Sequence, residues 1–312
     1  MNQTYYTHKS HSDGLELSVL RIMPDDPQQI KGIVQLVHGM NEYKERYIPF
    51  MEYLAQNGYL TVIHDHRGHG ASVKSLDDLG YMYEGGYVAL VRDTHEITQG
   101  IKNYARRLTG KEDLPVILLG HSMGSMVVRC YLRKFDKDID KLCVIGSPSK
   151  QAGMKAGVML IRLIEKFKGE RARLMLIAGL VMGSYEKAFA KEEIPHAWVN
   201  SNPEEVKKYN ADPLCNYCFT LNGFENLVKL TMLTYKDGDF IMENPDLPIR
   251  FFSGADDPCA VNEKAFRSSV EFLKKQGYTN VEGKMYPGMR HEILNEPERQ
   301  KVYEDILQFI GK

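Results

Sequence analysis

The sequence predicts an α/β architecture: a mainly parallel sheet flanked by helices, with a helical insertion between two of its strands. Three observations carry this. Short β-branched apolar runs alternate with longer helical patterns, the arrangement that builds parallel strands and covers both faces of a sheet. The interval from Ser147 to Asp246 parts two strand patterns by about a hundred residues, far beyond a connecting loop, so it has structure of its own. Of the 312 residues 43% are hydrophobic, enough for a sizeable core in one large domain or two modest ones.

The clearest strands are GIVQLVH (32–38), YLTVIHD (59–65), PVILLG (115–120), KLCVIG (141–146) and PIRFFSG (248–254), each ending at a Gly, His or Asp that begins a loop. Between them, a helical segment after Tyr47 stops at Gly58. Another after Val261 sets Phe266, Val270 and Leu273 on one face before Gly277, a residue suited to a left-handed stop. The last helix begins at Pro297, where a missing N–H costs nothing, and repeats apolar residues at Val302, Ile306, Phe309 and Ile310. The insertion carries a stripe at helical spacing, Met159, Leu160, Leu163, Ile164 and Phe167, followed by LMLIAGLVMG (174–183). That run is half of the roughly 20 residues a membrane-spanning helix needs. The expected boundaries are 1–146 and 247–312 for the two parts of the core and 147–246 for the insertion.

Forty Lys and Arg against 41 Asp and Glu leave no excess of charge to attract nucleic acid or an anionic surface, so a neutral or amphiphilic small substrate fits better. The amino terminus has no basic segment leading into an apolar stretch, and cytoplasmic residence is expected. Five cysteines form an odd set without disulfide spacing. CNYC (215–218) could begin a zinc clamp but lacks two further ligands, which favours packing. His64, His66 and His69 resemble an HxHxDH metal signature, yet Gly68 stands where its aspartate belongs. No metal or cofactor is expected.

The chemistry concentrates in PVILLGHSMGSMVVRCYLRKF, where Gly120, Ser122 and Gly124 form G-x-S-x-G with a strand pattern leading in and a helical one leading out. That is the context of a nucleophile elbow in the α/β-hydrolase fold. A serine hydroxyl needs a base to take its proton and a carboxylate to orient that base, in the chain order Ser, acid, His. Only His196 and His291 follow Ser122, and His196 lies inside the insertion, so His291 in the turn-rich YPGMRHEI is the candidate base. The acid should leave the preceding strand, where Asp256 and Asp257 stand together; the G-x-x-D spacing from Gly254 selects Asp257. The backbone amides of Met123, after the nucleophile, and Met40, in LVHGM after an early strand, are the candidate oxyanion donors.

These residues resemble the monoacylglycerol lipase and lysophospholipase branch of the α/β-hydrolases, related to the serine aminopeptidases. HGMNEYKERY (38–47) is similar to that branch's HGxxEHxxRY, HDHRGHGAS (64–72) to its DxRGHGxS, and GHSMGS (120–125) to its elbow, with GADDP and the RHE loop completing the set. The resemblance implies that the insertion is a helical cap, a lid admitting acyl chains; residues 196–220 are similar to cap segments of bacterial lysophospholipases. Tyr43 departs from the pattern, since many members have His beside the equivalent of Glu42. Glu42 and Arg46 either brace the oxyanion loop by pairing or are solvated.

The resulting expectation is a carboxyl-ester hydrolase forming an acyl-enzyme on monoacylglycerol-like or lysophospholipid-like esters. Met159, Leu163 and Leu180 would line an acyl tunnel, and any contact with a membrane or micelle would be transient and through the cap. Two other readings compete. A proline-releasing aminopeptidase would need a carboxylate cluster in the cap, for which Glu192, Glu193, Glu204 and Glu205 are available. A non-catalytic binding module would use the scaffold without the chemistry.

Overall fold

The structure, a computed structural model, describes residues 1–312. Eight strands form one sheet: β1 (Asn2–Lys9), β2 (Glu16–Met23), β3 (Gly32–Val37), β4 (Tyr59–His64), β5 (Val116–His121), β6 (Lys141–Ile145), β7 (Ile249–Gly254) and β8 (Val281–Tyr286). Their order across the sheet is β1-β2-β4-β3-β5-β6-β7-β8. β1 pairs antiparallel with β2, and β2 with β4, while all remaining pairs are parallel.

β3, β4 and β5 are buried at every position, which is why they read as continuous apolar runs rather than alternating ones. Successive side chains still point to opposite faces. Ile33, Val37, Leu118 and Val144 pack on one side with helices α2 (Gly86–Thr109), α3 (Met123–Phe135) and α8 (Glu263–Gln276). Val34, Leu36, Ile117 and Ile145 pack on the other with α1 (Ile48–Gln56) and α9 (Arg299–Gly311). α8 is bounded as expected, by an Asn262 side chain that caps the Ala265 amide and by Gly277 at φ 119°. α9 starts two residues beyond Pro297, because a turn from Glu296 to Arg299 precedes it.

Between β6 and β7 lie four helices: α4 (Met154–Lys168), α5 (Met175–Ala188), α6 (Pro203–Ala211) and α7 (Leu221–Thr234). α7 is part of the main core, adding Phe224, Leu227 and Leu230, and α4 rests on it. Within α4 the buried residues are Val158 and Ile161. Met159 and Leu163 are 72% and 55% exposed, and Phe167 is 81% exposed. The helix is apolar on more than one face: of the expected stripe Ile164 packs on the core beside Val158 and Ile161 and Leu160 borders the cavity above Ser122, whereas Met159, Leu163 and Phe167 face away. No helix is long and apolar enough to cross a membrane.

Candidate active site

β5 runs straight into Ser122, which takes φ 52° and ψ −117° before α3 begins at Met123. Positive φ strains a non-glycine residue, and the turn holds only because its flanks are bare. A Cβ on Gly120 would collide with the Gly124 carbonyl, and one on Gly124 with the Val37 carbonyl. The Ser122 amide donates to the Ile145 carbonyl at 3.0 Å, anchoring the elbow to the neighbouring strand.

Asp257 follows β7. Its Oδ1 accepts the Cys259 amide at 2.9 Å, and its Oδ2 faces His291 Nδ1 at 3.0 Å. A carboxylate only accepts, so Nδ1 carries the proton and Nε2 presents a lone pair to Ser122 Oγ, 2.8 Å away. Burial pushes the Asp257 carboxyl up, but the facing His291 ring and the Cys259 amide outweigh it and hold the group below its ordinary value. Asp256, its neighbour in sequence, is exposed. The structure thus brings Ser122, Asp257 and His291 together.

Gly39 sits so close to Ser122 that an added Cβ would lie 2.9 Å from the serine Cβ, and Met40 and Met123 border the same cavity as Ser122. Behind them lies a buried charge cluster that the sequence resolves only in part. Glu42 Oε1 accepts from the Gly39 amide, from Tyr47 Oη at 3.0 Å and from His121 Nδ1 at 2.9 Å. Arg46 does not pair mainly with Glu42, at 3.8 Å; it grips Glu292 through two bonds of 2.6 and 2.8 Å. Glu292 is next to His291, so this pair ties the base loop to the segment after Gly39. Tyr43, the departure from the family pattern, donates to Asp212 Oδ2 at 2.7 Å and so joins the insertion instead.

The insertion reaches the base loop directly. The His291 and Glu292 amides donate to the Trp198 and Val199 carbonyls at 3.4 and 2.9 Å, and the Trp198 ring lies 5.1 Å from the His291 ring. Sequence reasoning missed Trp198; its only signal is the HAW segment within a stretch similar to known caps.

A cavity of about 210 Å³ opens on Ser122 and His291. Ile161, Ile177, Val181, Leu227 and Val228 form its apolar walls, with Asn41 and Gln151 among the polar groups. Leu180 borders it although 64% exposed, whereas Met159 and Leu163, expected as lining, do not. Their side chains leave α4 on the outer faces. Glu192 pairs with Arg290, Glu204 with Lys207 and Glu205 with Lys208, and neither they nor Glu193 border the cavity.

His64 ends β4 and His66 and His69 follow in the next loop; all three are buried, but their nitrogens do not form a ligand set: His66 Nε2 faces the His38 carbonyl and His69 Nδ1 the Arg67 carbonyl. Arg67, bonded to Asp93 and Asp13, and Asp65, bonded to Lys44, order that loop. Donor atoms of Asp257, Cys259 and His291 come within 4.8 Å of one another, but the first and last are committed to each other. Cys215 packs among Trp198, Tyr209 and Cys259.

The model of the Hydrolase_4 family, described as serine aminopeptidase, S33, matches residues 28–298. Monoacylglycerol lipase of Mycolicibacterium smegmatis is 24% identical over 281 residues, covering 90% of this chain and 88% of its own. Human monoglyceride lipase is 27% identical over 290 residues, covering 90% and 83%. Among solved structures, a thermostable carboxyl esterase from Bacillus coagulans in complex with glycerol superposes with a TM-score of 0.87 at 24% identity, covering 100% of this chain and 98% of that one. Monoglyceride lipase from Saccharomyces cerevisiae, bound to a substrate analogue, gives 0.74 at 19% identity, covering 100% and 95%. The elbow, the sheet order and a match across most of the sequence lead to one assignment: the chain belongs to the serine aminopeptidase S33 family, in the monoacylglycerol lipase branch of the α/β-hydrolases.

Proposed function

We propose that this carboxyl-ester hydrolase works through Ser122, His291 and Asp257 and a covalent acyl-enzyme, on monoacylglycerol-like or lysophospholipid-like esters. The observation that carries the reading is the pair of contacts Ser122 Oγ to His291 Nε2 at 2.8 Å and His291 Nδ1 to Asp257 Oδ2 at 3.0 Å, at the mouth of an apolar cavity.

In this mechanism Oγ attacks the ester carbonyl as Nε2 takes its proton. The oxyanion is stabilised by the amides of Met123 and Met40. His291 returns the proton to the departing alcohol, leaving Ser122 acylated; a water molecule, deprotonated by the same nitrogen, then releases the acid and restores the serine. Asp257 holds the tautomer and stabilises the imidazolium. Residues 147–246 act as the lid, and the acyl chain lies between α4, α5 and α7. The exposed Phe167, Met175 and Leu176, near Lys166, Lys168 and Arg171, give that lid a face for transient contact with a membrane or micelle. The aminopeptidase reading is the weaker one, because Glu192, Glu204 and Glu205 are spent on cations away from the cavity.

The test is a panel of p-nitrophenyl esters, glycerol monoesters, lysophospholipids and aminoacyl anilides, run on the native protein and on Ser122→Ala beside fluorophosphonate labelling. Ester turnover and labelling that both vanish in the variant support the reading; turnover that survives, or a preference for anilides, refutes it.

A further inference from the structure

We propose that His121 is a fixed-charge positioning residue: an imidazolium that, paired with Glu42, clamps the Gly39 loop and the His291 loop onto the nucleophile elbow. The inference rests on the catalytic reading above.

The argument begins with what the ring faces. His121 is 4% exposed, its Nδ1 lies 2.9 Å from Glu42 Oε1, and its Nε2 lies 3.2 Å from the His291 carbonyl oxygen. Both partners are acceptors without a proton to give. A neutral imidazole has one N–H and would set a lone pair against one of these oxygens; only the doubly protonated ring satisfies both. Glu42 is equally enclosed at 2% exposed, and its carboxylate neutralises the ring. The nearest other charged groups are Arg46, 3.8 Å from Glu42, and Glu292, bonded to Arg46, four groups of alternating sign, while the Asp257 carboxylate beyond the His291 ring also interacts with His121. Tyr47 donates to Glu42, and the His291 ring stands 4.8 Å from that of His121. Burial opposes a charged His121, yet the Glu42 carboxylate raises its pKa above the ordinary histidine value; burial opposes an ionised Glu42, yet His121 and Arg46 lower its pKa.

Three chain segments meet at this pair. Glu42 Oε1 accepts the Gly39 amide, fixing the loop that carries the Met40 amide. His121 directly precedes Ser122, and its second N–H fixes the backbone of the base itself. A buried ion pair is a poor way to gain stability, since an apolar pair of similar volume often serves as well. Its use here is geometric: it sets two catalytic loops against a strained turn.

Nitrogen NMR of histidine-labelled protein at pH 8 tests the protonation state, with His121→Gln assigning the signal. The expected spectrum shows His121 with both nitrogens protonated well above the ordinary histidine range, and loss of that signature in Glu42→Gln. Kinetics test the role. Glu42→Gln and the doubly neutral Glu42→Gln/His121→Gln should each lose roughly 100-fold in kcat, comparable to loss of an oxyanion donor, with KM within about threefold. If the single variant does not fold, the native spectrum and the double variant decide. A neutral His121 at pH 8, or native kcat in the double variant, overturns the proposal. Ser122→Ala assayed alongside separates the two readings: activity surviving there removes both, whereas an inert Ser122→Ala with a fully active double variant removes only this one.

Discussion

If the acyl chain lies along α5 as proposed, Val181→Asp should remove the preference for longer esters while sparing short ones. Val181 is half-buried on α5 and forms part of the apolar wall above Ser122, together with Ile161, Ile177, Leu227 and Val228. Each methylene buried against such a wall contributes about 0.8 kcal/mol, so four of them give about 3 kcal/mol, or roughly 200-fold in kcat/KM between acetyl and medium-chain esters of the native protein. A carboxylate in that wall must keep its hydration or lose it at high cost, and either way the chain is displaced. Because the residue is only half-buried, the carboxylate can stay hydrated at the cavity wall without unfolding the helix, and acetyl turnover should stay within about threefold. Leu163→Asp is the control: Leu163 is exposed and outside the cavity, so its chain-length profile should match the native one. The assay is kcat/KM for p-nitrophenyl and glycerol monoesters of graded length, with a melting curve for each variant. A flat native profile, or acetyl and long-chain turnover declining together in Val181→Asp, would refute the placement of the acyl chain.

Three further perturbations test other parts of the site. Asp257→Asn should lower kcat by about 10⁴-fold through a misoriented imidazole, while Asp256→Asn stays near native because that side chain is exposed; the reverse pattern moves the acid to Asp256. The Asp257 carboxyl titrates below its ordinary value of 3.8, so its contribution to stability is complete above that pH and is lost as pH falls through the folded value. The melting-temperature gap between native protein and Asp257→Asn should therefore narrow as pH falls below about 3.8, a gap that does not narrow there being the contrary result. Phe167→Asp should weaken sedimentation with phospholipid vesicles at unchanged turnover of a soluble acetyl ester, since Phe167 is 81% exposed and does not border the cavity; unaltered vesicle binding would remove α4 from the lipid-facing surface.

What the sequence made legible follows from burial. The central strands are enclosed on both faces, so their apolar runs survive in the sequence as strand signals. β1 is largely exposed, with Tyr5 and Tyr6 facing outward, and carries no comparable pattern. In α4 the failure has another cause. Met159, Leu160, Leu163 and Phe167 are as apolar as Val158 and Ile161, so periodicity alone finds the helix but not which face the core takes. The loops bearing Ser122, Asp257 and His291, which the fold brings together, were readable because each follows a strand and carries a residue type that the proposed chemistry asks for at that point.

The supporting contacts are a different matter, because they join positions that sequence order keeps apart. Arg46 meets Glu292 across 246 positions, and His121 meets the His291 carbonyl across 170. The RHE motif marks Glu292 only as the neighbour of the base and says nothing of its partner; only the folded sheet, which brings the C-terminal ends of β3, β5 and β8 to the same side, supplies it. The insertion adds a further constraint. Trp198 and Val199 lend their carbonyls to the amides of His291 and Glu292, so the segment between β6 and β7 shapes the base loop as well as covering the cavity. A change in that segment can therefore reach the chemistry through the position of His291 without touching the acyl chain. Its signature is a loss of kcat equal for short and long esters, the opposite of the chain-length selectivity expected of Val181→Asp.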